Sequence, residues 1–187
     1  MRFRLQAREV RLQLDSCDVA TAVGRRDYAV LVLLARLGLR GAEAAALELD
    51  DVDWRGGEVA IRGKGRRLER LPLPVAVGEA LAAYLTGGRP RCGAATVFVT
   101  ARAPYRALTP MAVRQIVARA CRRAGLRRLG AHRLRHTLAT AMLQAGAPLA
   151  EVGQVLRHRS HLATATYAKV DEQALRPLAR PWPGRRS

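Results

Sequence analysis

Lysine is nearly missing from this sequence: only Lys64 and Lys169 stand among 33 basic side chains, and the rest are arginines. Carboxylates are missing locally. From Ala80 to Ala150 there is no Asp or Glu, while twelve arginines fall in the same stretch. Arginine stays charged at any accessible pH and grips phosphate oxygens through parallel N–H donors, so this pattern favours a polyanion partner, nucleic acid first. A GC-rich genome that replaces Lys by Arg accounts for most of the ratio, but not for the absent carboxylates. Cysteine is scarce too. Cys17, Cys92 and Cys121 are widely spaced with no C-x-x-C, which excludes a disulfide framework and a zinc site and fits reduced thiols. No run of 18 or more apolar residues occurs, and Met1-Arg2-Phe3-Arg4 has no apolar h-region, so neither a membrane span nor a secretory signal is expected. The expected location is the cytoplasm, free or on the nucleoid.

What is present is a chain of 187 residues with a formal charge of +18. Apolar residues make up 49%, enough to carry that charge on a folded body rather than a solvated basic tail. Helices are expected at 8–16, at 25–39 with little polar surface, and at 42–49, before the acidic turn of Asp50, Asp51 and Asp53, read as solvated. Strands at 58–62 and 66–73 flank Gly63-Lys64-Gly65 as a β-hairpin. Pro74 opens a helix to about Leu85, and Val97-Phe98-Val99 suggests a third strand. The second half reads as helical: from Thr109-Pro110, a cap followed by proline at the first helical position, to about Ala124, then 131–145, 148–157 and 162–168. The fold class is therefore mainly α with a small antiparallel β-sheet (α+β), in one domain.

All four histidines fall between His132 and His161, among arginines. His132 and Arg135, three apart on one helix, share a face from which both reach one phosphate. Leu156-Arg157-His158 comes later, and Tyr167 stands nine residues beyond His158. Tyr28 and Tyr84 read as core residues and Tyr105 as a loop residue. Breaking a phosphodiester without metal requires a nucleophile, cations for the charge developing on the phosphoryl oxygens, and an acid for the leaving 5′ oxygen. The basic half has no Asp/Glu pair in a metal-site pattern, which speaks against a two-metal nuclease.

In order and spacing, these blocks resemble the tyrosine recombinases, or phage integrase family. Leu37-Gly38-Leu39-Arg40-Gly41-Ala42-Glu43 is similar to its first arginine box and Gly63-Lys64-Gly65 to its hairpin lysine. His132-Arg133-Leu134-Arg135-His136-Thr137 resembles the H-x-L-R-H-T box, Leu156-Arg157-His158-Arg159-Ser160 the L-G-H-x-S box, and Thr166-Tyr167 the nucleophile. Arg157 stands where the family has glycine. The resemblance implies a tyrosine recombinase catalytic domain over 1–175 and a basic, Pro-containing tail over 176–187, the family's N-terminal DNA-clamping domain being absent. It implies catalytic roles for Arg40, Lys64, His132, Arg135, His158 and Tyr167, with Glu43 orienting an arginine and His132 assisting as base. His136 and His161 are expected to be structural or backbone-bonding, and the arginines of 114–128 to position phosphates. Double-stranded DNA is the expected partner, acted on by a homo-oligomer, a tetramer on the recombination site, with no cofactor and no metal. Leu175, Leu178 and Trp182 suggest that the tail docks on a neighbouring protomer. The alternative is a truncated, inactive DNA-binding remnant.

Overall fold

Thr21 sits in extended conformation and its hydroxyl accepts a hydrogen bond from the Gly24 N–H at 3.0 Å, satisfying one of the donors a helix start leaves open. That cap moves the first long helix forward to Ala22–Arg36, three residues ahead of the sequence expectation. The computed structural model describes residues 7–63, 68–127 and 130–157. Its helices are α1 (Ala7–Asp15), α2 (Ala22–Arg36), α3 (Gly41–Ala45), α4 (Val75–Gly87), α5 (Pro110–Arg123), α6 (Ala131–Gln144) and α7 (Leu149–Val155). Its strands are β1 (Val52–Asp53), β2 (Glu58–Arg62) and β3 (Leu68–Pro72). By contacts, the chain divides into two units, Met1–Leu138 and Ala139–Ser187.

In the first unit, α2 is the core helix. Ala29 to Leu34 are all buried, and α2 packs against α4, which contributes Val77, Leu81 and Tyr84. The Tyr84 ring stacks on Phe98 with centroids 5.5 Å apart. Helix α5, amphipathic with Val113, Ile116, Val117 and Ala120 turned inward, packs on α1, α2 and α3. Within α2 lies a buried ion pair: Arg26 Nη2 is 2.8 Å from Asp27 Oδ1, with Arg119 Nη2 at 4.0 Å from the other carboxylate oxygen.

The three strands form an antiparallel sheet in the order β1-β2-β3, with Val59 opposite Leu71 and Ala60 opposite Arg70. The antiparallel pairing of β2 and β3 is as expected, the turn at 64–67 lying outside the described residues, while the third strand is Val52–Asp53 rather than Val97–Val99. Those residues are buried, but Val99 makes only an isolated bridge to Ala107 and Thr96 one to Glu48. The segment is held by scattered backbone bonds, Val97 N–H to the Leu47 carbonyl and Leu108 N–H to the Phe98 carbonyl, and by the Tyr84 stack on Phe98. The acidic turn also differs from expectation: Asp51 is buried, where its carboxylate accepts from the Glu48 N–H and from Arg62 Nη1, each at 2.9 Å.

In the second unit, α7 ends at Val155, and Arg157 follows with a φ of +54°. The helix expected at 162–168 and the tail of 176–187 lie outside the described residues.

Candidate active site

The first arginine box is built around one backbone reversal. Gly38 has a φ of +59°, a left-handed conformation that side chains oppose by about 1–2 kcal/mol. It lies between the buried Leu37 and Leu39. The reversal turns the chain out of α2 and into α3, with Arg40 as the residue preceding the first turn. Glu43 holds Arg40 at two points: its Oε2 accepts from the Arg40 backbone N–H at 2.7 Å and its Oε1 from Arg40 Nη1 at 2.6 Å. The carboxylate is buried and the guanidinium about half exposed, 6% against 47%. The sequence expectation that Glu43 orients an arginine agrees with this geometry.

The second box arrives on α6. Arg135 is buried, and its Nη1 donates to the carbonyl of Gly38 at 2.5 Å, across 97 residues of sequence. The two arginines predicted to act together are thus tied to one turn of backbone. Three residues before it on α6 stands His132, exposed, and directly after it comes His136, partly buried and one turn beyond His132. Their Nε2 atoms are 2.8 Å apart with the rings edge-on at 88°. Both imidazoles are shifted below the usual histidine pKa, so the neutral form is favoured. For His132 the causes are burial first, then the positive charges of Arg135, Arg133 and Arg40. For His136 burial again leads, followed by His132, Arg133 and Arg135.

Arg40, His132 and Arg135 are therefore brought together, while Lys64, His158 and Tyr167 lie outside the described residues. His136 is a partner that the sequence reading assigned to a structural role. Its i,i+4 spacing from His132 was visible, but not the ring-to-ring contact. Of the arginines of 114–128, Arg119 Nη2 lies 4.0 Å from Asp27 Oδ2 and Arg123 Nε donates to the Ser16 carbonyl at 2.9 Å, so these two also make contacts within the first unit. Among the described residues no group of three or more His, Cys, Asp or Glu side chains could hold a metal ion, and no helix is long and apolar enough to cross a membrane. Chemically, the arrangement offers guanidinium charge beside imidazoles whose pKa is lowered, a combination suited to a phosphodiester whose charge grows during reaction.

The chain belongs to the phage integrase family, whose model matches residues 4–174. It is 51% identical over 174 residues to the Sinorhizobium fredii protein named as integrase/recombinase y4rA, covering 91% of this chain and 42% of that one. It is 35% identical over 164 residues to tyrosine recombinase XerC of Oceanobacillus iheyensis, covering 85% of this chain and 54% of that one. Among solved structures it is similar to the XerH site-specific recombinase bound to a palindromic difH substrate in a post-cleavage complex. That likeness has a TM-score of 0.78 and 27% identity, over 97% of this chain and 54% of the other. The chain thus spans about half the length of these relatives. The mainly helical fold with a three-stranded antiparallel sheet is that of the family's catalytic domains.

Proposed function

We propose that the chain is the catalytic domain of a site-specific DNA recombinase or integrase that cuts and rejoins strands through a 3′-phosphotyrosyl intermediate, without metal or ATP. The observation that supports this best is the bond from Arg135 to the Gly38 carbonyl, which ties the second arginine box to the turn that presents Arg40.

In this reading a scissile phosphate meets Arg40, held by Glu43, and Arg135. Their charges stabilise the non-bridging oxygens as negative charge accumulates. His132 accepts the proton of the Tyr167 hydroxyl, whose ordinary pKa of about 10 leaves it a poor nucleophile at neutral pH. The Tyr167 oxygen bonds to phosphorus as the bond to the 5′ oxygen breaks, and Lys64 supplies a proton to that leaving oxygen. Lysine suits the task because an ammonium gives up its proton near neutral pH once its pKa is lowered by neighbouring cations, whereas a guanidinium does not. His158 adds a hydrogen bond to the phosphate. The phosphotyrosyl link conserves the energy of the bond it replaces, so a 5′ hydroxyl from a second strand reverses the step. A tetramer on double-stranded DNA, in the cytoplasm, is the assembly this chemistry would use.

A nicked suicide substrate, from which the cut fragment diffuses away, tests the proposal. A DNA-linked protein band should form with the natural chain and vanish in Tyr167→Phe. Binding without any adduct at high protein concentration would favour an inactive DNA-binding remnant.

A further inference from the structure

Resting on the reading of His132 as the base, we infer that His136 is a positioning residue that fixes the tautomer of His132. It holds the His132 proton on Nε2 and leaves Nδ1 as the atom that takes the proton from Tyr167.

The argument begins with a count of protons. Two imidazole nitrogens 2.8 Å apart are at hydrogen-bond distance. Two lone pairs, or two N–H groups, facing each other at that separation repel, so a single proton lies between them. One ring donates from Nε2 and the other accepts at Nε2, and the accepting ring, when neutral, carries its own proton on Nδ1. The spacing is set by α6, whose residues four apart lie one turn above one another. The cationic surroundings work against charging both rings: His132 feels Arg135 and Arg133 on its own helix and Arg40 at the start of α3, and His136 feels Arg133 and Arg135.

If His132 is the donor, its Nδ1 bears a lone pair and can act as a base. The Tyr167 O–H bond then breaks and an N–H bond forms at Nδ1. The oxygen bonds to phosphorus, the bond to the 5′ oxygen breaks, and Lys64 protonates the leaving group. The imidazolium so formed keeps its Nε2–H on neutral His136, which steadies the new charge. This is the logic of a base oriented by a third group, with an imidazole in the place of the usual carboxylate.

The test is 15N NMR of histidine-labelled full chain at neutral pH, with each of the four histidines assigned by substitution. The expected result is His132 protonated at Nε2 and bare at Nδ1, with His136 the reverse. His136→Phe should release His132 into mixed tautomers and slow adduct formation on a suicide substrate by about tenfold or more, a part of what acid–base catalysis supplies. His136→Gln should restore both, because its amide oxygen accepts from Nε2. In the natural chain the two rings should titrate in two separated steps, and in His136→Gln His132 should titrate in one. The opposite tautomers in the natural chain, or a His132 tautomer unchanged in His136→Phe, would overturn the inference. If the tautomers are as expected but His132→Gln forms adduct at the natural rate, the pairing stands, while the base assignment and the proton transfer to Nδ1 are wrong.

Discussion

Glu43 illustrates how much of the site depends on single side chains. Its buried carboxylate accepts from both the backbone and the guanidinium of Arg40, and an amide of the same size has only one acceptor oxygen to offer. Glu43→Gln should therefore leave Arg40 charged but misplaced. We expect adduct formation to fall by roughly 100-fold, the cost of misplacement by about an ångström, with DNA affinity by gel shift changed far less. Arg157 offers a second test. The family's glycine at this position has a physical reason, because the backbone takes a φ of +54° there. Arg157→Gly and Arg157→Ala both remove the side chain, so the difference between them isolates the backbone. The glycine variant should be the more stable by about 1 kcal/mol in urea titration. Equal stabilities would mean that the left-handed conformation is not kept in solution.

At the scale of the elements, local signals read well where they satisfied the backbone and poorly where tertiary partners decided. Thr109-Pro110 announced α5, found at Pro110–Arg123, because a cap and a proline both act within one turn. The three apolar residues Val97-Phe98-Val99 looked like a strand, but nothing local tells a strand of a sheet from a buried extended segment that makes only isolated bridges. Asp51 looked like a solvated turn residue, since its partner Arg62 lies on a strand eleven residues on. The candidate site was legible as residue types and order, not as contacts: the bond from Arg135 to Gly38 spans 97 residues. The buried pair of α2 gives the stability prediction at this scale. Removing Asp27 strands the Arg26 guanidinium, so Asp27→Ala should cost about 3–5 kcal/mol. The urea midpoint should fall with the slope unchanged, and a loss under 1 kcal/mol would mean that water reaches Arg26.

For the whole molecule, a charge of +18 sets what the proposed DNA partner should feel. Binding of duplex DNA should weaken linearly on a log–log plot against salt, with a slope of about −0.9 for each phosphate neutralised. Fluorescence anisotropy across a salt series would measure this, and an affinity indifferent to salt would contradict an arginine-phosphate interface. The proposed chemistry is tested most directly by the covalent bond itself. Adduct trapped on a nicked substrate can be digested with nuclease and protease and its peptides sequenced by mass spectrometry. The account predicts a nucleotide joined through its 3′ phosphate to the peptide containing Tyr167. Nucleotide attached at any other residue, or cut DNA released with no attachment, would contradict it.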